Sequence, residues 1–331
     1  MDKDSIKLKK ELRKAGLSDQ AIEAAWPNWW SDEAASSASA RAELRFTLAR
    51  RLGISPKPLL GERVEFVWRD NARYKNLSGV TDGAKGAITS FGIALGQHLL
   101  RATENSIGLS GLDAKELRKF LLANSSVVEL RNLLALCWAF GVPVIHLRVF
   151  PLPAKSMHAM VVRSGERFCI LLGKDAQYPA PIAFTLAHEI GHIVLGHLRD
   201  DTILFDDESL EELNTKDEDE IEADKFALQL LTGREEPDIR IDVEKFNSAQ
   251  LADAVLRASR LHNIEPGTLA LCLAHRTRKW PVAMAALRYI YDVEKPVWRE
   301  INGVATRQLS WSEMDDDSAA YLQAIMGGSL G

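Results

Sequence analysis

Residues 185 to 197 read TLAHEIGHIVLGH, an apolar run with three histidines and a glutamate set into it. Ile190, Ile193, Val194 and Leu195 give the run the character of a buried helix, and a buried ionisable group is costly unless it is neutralised, paired or bound to a cation. Any fold open to this chain must therefore seat that helix beside partners for His188, Glu189 and His192. Residues four apart on a helix share a face, so His188 and His192 point the same way with their imidazoles a few ångströms apart. That spacing suits a chelate for one metal ion. Glu189 falls on the flank of the same face, where its carboxylate can reach a water held at the ion without itself being a ligand.

Zinc at a catalytic site usually takes three protein ligands and leaves its fourth position to water, so a third ligand is expected downstream. The stretch DEDEIEADKFALQLL offers it. Glu220 and Asp224 share a helical face ahead of the apolar residues Phe226, Ala227, Leu228 and Leu230. Glu220 would bind the metal, and Asp224 would orient a ligand histidine by accepting its other ring N–H. Glu222 competes as ligand, although no acidic residue stands four positions after it. His197 lies about 140° round a continued helix from His192, so it reads as a helix-end histidine.

With 331 residues, 46% hydrophobic and 26% charged, the chain can bury a core and is expected to form more than one domain. A net charge of −5 gives no overall attraction to a phosphate backbone. Residues 1 to 80 hold 15 Lys plus Arg against 11 Asp plus Glu, a mild excess that supports DNA binding only weakly. The start MDKDSIKLKKELRKAG has no signal-peptide apolar core, and no uncharged run is long enough to span a bilayer. The expected location is cytoplasmic, with no membrane partner. Cys137, Cys169 and Cys272 are an odd set in apolar contexts and read as reduced packing residues.

The expected fold class is α+β, mostly helical, in four segments. Residues 1–62 form an N-terminal helical region, with SDEAASSASA as a linker or weak helix start. Residues 63–124 form a helical connecting region. Residues 125–235 hold a helix closing on Gly141, strands in VPVIHLRVF and HAMVVRSGERFCILL joined by a Ser-Gly-Glu hairpin turn, then the two acid- and histidine-bearing helices. Pro179 and Pro181 suit the first turn of the first of these helices. Residues 236–331 form a C-terminal helical region.

FTLAHEIGHIVLGH followed by EIEADKFALQLL resembles the ImmA/IrrE family of metallopeptidases, whose members carry an AHELGH helix and, a few tens of residues later, an ExEANxFA helix. Asp224 stands here in place of the commoner asparagine. The resemblance covers residues 125–235 and implies a minimal zincin domain, with a small antiparallel sheet and active-site helices. It implies His188, His192 and Glu220 as zinc ligands, manganese being the alternative metal, and Glu189 as catalytic base. It also implies a metallo-endopeptidase that cuts an Xre-type repressor or antitoxin, derepressing mobile-element, phage or stress genes. The protein substrate would be a small helix-turn-helix repressor. LRFTLARRLGISPKPLLGE resembles the closing helices of an Xre-type helix-turn-helix domain, though no recognition helix is visible upstream. The rival reading is a DNA-binding regulator or antitoxin whose zinc domain is a sensor or a structural unit. Two further expectations concern the substrate: it would extend against an open sheet edge at RFCILL, and the 13 acidic residues in positions 200 to 224 would favour a basic partner.

Overall fold

The computed structural model describes residues 2–61, 63–68, 72–75, 81–153, 157–198, 203–206, 218–237, 246–291 and 296–328. The chain opens with α1 (Lys3–Lys14), α2 (Asp19–Ala25), α3 (Asp32–Ser36), α4 (Ala38–Leu52) and α5 (Pro56–Leu60). Asp2, Ser18, Ser31 and Ser37 cap the first four, each accepting from a backbone N–H of the first turn. The stretch SDEAASSASA is therefore not a linker: Ser31 and Ser37 start two successive helices within it. Then come β1 (Ala72–Lys75), α6 (Asp82–Arg101), α7 (Ala114–Leu122), α8 (Leu130–Ala139) and β2 (Val144–His146). The hairpin β3 (Ala159–Ser164) and β4 (Arg167–Leu172) precedes α9 (Pro179–Val194), β5 (Ile203–Asp206) and α10 (Glu218–Thr232). The chain continues through α11 (Ser248–His262), α12 (Pro266–Thr277), α13 (Trp280–Ile290), α14 (Val297–Gln308) and α15 (Asp316–Ile325). The class is α+β and mostly helical, as expected.

The five described strands form one sheet in the order β1-β5-β3-β4-β2. The expected small antiparallel sheet is a mixed one. The antiparallel β3–β4 hairpin and the antiparallel β3–β5 pair sit at its centre, with parallel β1–β5 and β2–β4 pairs on either side. RFCILL is consequently not an open edge, because β4 is hydrogen-bonded to β3 and to β2. Even the outer side of β2 is engaged at His146, whose N–H donates to the Asn302 side-chain oxygen at 2.7 Å and whose carbonyl accepts from Asn302 Nδ2 at 2.8 Å.

Both faces of the sheet are covered around β3 and β4, so Ala159–Val162 and Phe168–Leu172 are continuous buried runs. Met160, Val162, Cys169, Leu171 and Ile203 face α6 and, beyond it, the N-terminal helices and α15. Ala159, Val161, Ile170, Leu172 and Leu204 face the opposite way, against α7, α8, α9, α10 and α14. A third cluster joins α11, α12 and α13 around Leu251, Leu269, Leu273 and Leu287, with Tyr178.

Burial follows the two faces of the sheet, with the third cluster among α11, α12 and α13. The segment 63–124 supplies a strand and a covering helix, and the end of the segment 236–331 returns to close both faces. The helix-turn-helix-like turn is part of this core, since a Cβ on Gly53 would run into the Ser90 carbonyl oxygen on α6. Trp26 and Trp30 also pack against the core. Among the described residues, no helix is long and apolar enough to cross a membrane.

Candidate metal centre

The strand β4 leads into α9 through a short loop, and Pro179 fills the first helical position, where its missing N–H costs nothing. From Ile182 to Ile193 the helix is buried apart from a partly exposed Phe184. His188, Glu189 and His192 lie in that interval, at 2%, 0% and 0% exposure. Helix α10 crosses close to it. A Cβ on Gly191 would meet Phe226 Cδ1 at 3.1 Å and the Ala223 Cα at 3.3 Å, so glycine facing alanine sets the approach of the two helices. Arg118 on α7 anchors the far end of α10, donating to the carbonyls of Leu230 at 3.0 Å and Leu231 at 2.7 Å.

That approach brings Glu220 onto the histidine face. His188 Nε2 and His192 Nε2 are 2.9 Å apart. Glu220 Oε2 lies 3.2 Å from the first and Oε1 3.3 Å from the second. One turn further on, Asp224 Oδ1 lies 3.0 Å from His188 Nδ1. Glu189 occupies the flank of the same turn, close enough for its charge to act on His188. The structure therefore gathers His188, Glu189, His192, Glu220 and Asp224 at one place. Glu222 faces elsewhere, with its Oε2 3.2 Å from His197 Nε2.

His197 is nearer the site than the sequence suggested. The 140° offset assumed that α9 continues, but the helix ends at Val194 and Gly196 takes a left-handed φ of +74°. The N–H of Gly196 then bonds to the Ile193 carbonyl at 3.3 Å, and that of His197 to the His192 carbonyl at 3.0 Å. This is the Schellman arrangement, which folds the second residue past the cap back onto the helix's last turn. His197 Nδ1 thereby comes to 2.8 Å from His192 Nδ1. The glycine one residue before His197 was the signal available in the sequence.

The electrostatics of the cluster suit a cation. Burial favours a neutral His188, but the hydrogen bonds it donates to Asp224 and Glu220 and the charge of Glu189 outweigh it and hold its pKa well above 6.5. Burial likewise raises Glu220, and its bonds to the two histidines more than reverse this, holding it far below the usual carboxylate range. Two imidazole nitrogens and one carboxylate within 4.8 Å of one another, all buried, form a donor set that a divalent cation such as zinc accepts.

Residues 140–243 match a family model described as the IrrE N-terminal-like domain, a peptidase family. That stretch is similar to the IrrE-type peptidase domain. The match takes in β2 to α10 and so includes the whole cluster. No curated protein matches the chain. Outside the domain's cluster, Cys137, Cys169 and Cys272 are free, and burial pushes Cys169 and Cys272 up to about 12. Such thiols stay protonated and serve packing.

Proposed function

We propose that this protein is a zinc-dependent endopeptidase of the cytoplasm that cleaves one particular protein, a small helix-turn-helix repressor or antitoxin, and so releases the genes it holds silent. The observation that carries this reading is the buried convergence of His188, His192 and Glu220, with Glu189 one step away and Asp224 behind His188. A purely structural zinc site closes its fourth position with a protein ligand and has no use for a base. His188 Nε2, His192 Nε2 and a Glu220 oxygen would hold the metal. When bound, zinc supplies a Lewis acid that polarises the scissile carbonyl and acidifies the attacking water.

The remaining work falls to the chain itself. Glu189 takes the proton from the attacking water and delivers it to the leaving nitrogen. Asp224 accepts from His188 Nδ1 and so fixes the tautomer that presents Nε2 forward. The acidic run at 200–224 suits a basic substrate such as a DNA-binding repressor; 200–202 and 207–217 of it lie outside the described residues.

The test is co-incubation of the full chain with a helix-turn-helix protein encoded beside it, with and without a chelator. Glu189→Gln should retain one equivalent of zinc and lose cleavage. Cleavage that persists in Glu189→Gln removes Glu189 from the mechanism, and DNA binding without any chelator-sensitive cleavage favours the regulator reading.

A further inference from the structure

Two ligand histidines on one helix need two outer partners, and only one of these follows the carboxylate pattern. His188 Nδ1 meets a carboxylate, Asp224. His192 Nδ1 meets another imidazole, His197 Nδ1, at 2.8 Å. We propose that His197 is a positioning residue for His192, the middle link of a histidine–histidine–carboxylate chain that ends at Glu222. The proposal rests on the metal reading given above, in which His192 binds through Nε2.

Proton bookkeeping dictates the direction of the chain. A neutral imidazole carries one N–H. His192 Nε2 faces His188 Nε2 and Glu220, so its lone pair belongs to the metal and its hydrogen to Nδ1. That hydrogen points at His197 Nδ1, which must then accept. The single hydrogen of His197 is left on Nε2, 3.2 Å from Glu222 Oε2 and 3.9 Å from Asp219 Oδ1. Every link thus has one donor and one acceptor.

The fold holds this link in place. His197 is 7% exposed. Its backbone N–H is tied to the His192 carbonyl, and the next residue is tied down by Arg163 Nη1, which donates to the Leu198 carbonyl at 2.8 Å. In a Schellman cap the residue at this position usually touches the last helical turn through an apolar contact. Here the same geometry brings two imidazoles together. The cap that ends α9 therefore also sets the ring angle of a ligand, without a further loop or helix.

The consequence is that the two ligands are unequal. Asp224 places a full negative charge directly behind His188, whereas the charge behind His192 is one imidazole further away. Removing the acceptor at 197 frees the His192 ring to turn and weakens the metal; removing Glu222 only loosens the tautomer of His197.

The experiment uses the full chain, loaded with zinc against a chromophoric chelator and, separately, with cobalt(II) to read the visible ligand-field bands. His197→Phe keeps the bulk and lacks an acceptor, and it should bind zinc roughly 10–100-fold more weakly, with altered cobalt bands. His197→Gln restores an acceptor oxygen and should recover most of the affinity and the native bands. Glu222→Ala, at a half-exposed position, should weaken binding by less than His197→Phe.

Melting curves of the metal-free variants identify any that fail to fold, and Glu222→Ala with His197→Gln then carry the test. Wild-type affinity in His197→Phe, or equal weakness in His197→Phe and His197→Gln, overturns the positioning role. A second bound equivalent in wild type that disappears in Glu222→Ala assigns His197, Asp219 and Glu222 a cation of their own and also overturns it. Wild type that binds no metal at all refutes the earlier reading instead.

Discussion

Glu220 and Glu222 each face a histidine nitrogen at 3.2 Å, yet their loss should differ by an order of magnitude or more. Glu220 is buried and spans both His188 and His192, so Glu220→Ala removes one of the three proposed protein ligands. Structural zinc sites are worth about 10–16 kcal/mol at neutral pH, or about 3 kcal/mol for each of four positions. At 1.4 kcal/mol per power of ten, that is a loss of roughly a hundredfold in affinity. Glu222 is 53% exposed and reaches the metal only through His197 and His192, so Glu222→Ala should cost about tenfold at most. The assay is metal content by elemental analysis after dialysis against a graded series of chelators, with circular dichroism as a check on the fold. If Glu222→Ala gives up its metal to a weaker chelator than Glu220→Ala does, the assignment of Glu220 and the placement of Glu222 behind His197 are both wrong.

Two further perturbations follow from the same structure. Asp224, Glu220 and Glu189 raise the folded pKa of His188 well above 6.5, so binding a cation at its Nε2 competes with a proton. Zinc affinity should rise with pH up to the folded pKa of His188 and then level off, and calorimetry in buffers of differing ionisation enthalpy should register proton release at pH 7; no release there would contradict the charge arrangement. On the other face of the sheet, Gly92→Ala and Gly96→Ala should behave differently under denaturant. Both gain about 1 kcal/mol of helix propensity. A Cβ at 92 meets the flexible Met160 thioether, whereas one at 96 meets Val162 Cγ1 at 2.8 Å and Cys169 Sγ at 3.0 Å, so overpacking of about 1–3 kcal/mol should leave Gly96→Ala the less stable of the pair.

Much of the fold was legible because its signals are local. Capping residues at Ser18 and Asp113 mark helix starts, and the Ser164–Arg167 turn marks the hairpin. The spacing of His188, Glu189 and His192 needs only helical periodicity. What could not be read depends on distant partners. β5 and β1 are four residues each, and Ala72 to Lys75 has no apolar alternation; these segments become strands only because β3 offers an edge to β5, and β5 to β1. The loss of RFCILL as an open edge has the same cause, since nothing within β4 announces that β2 will pair with it. His197 is a different case: a helical wheel extended through Gly196 gives the wrong angle, and treating that glycine as a stop would have given the right one.

The packing of α2 and α4 against α15 has a cost in time. Arg51 donates to the backbone carbonyl of Asp317, 266 positions later, and the Tyr321 hydroxyl returns to the Arg51 carbonyl. A ribosome adding about 5–20 residues per second needs roughly 15–50 s to make the intervening chain. Throughout that interval the nascent α2 and Arg51 stand without the helix they pack against. Synthesis in cells should therefore lean on chaperones, and refolding from denaturant should be slow for a chain so rich in helix.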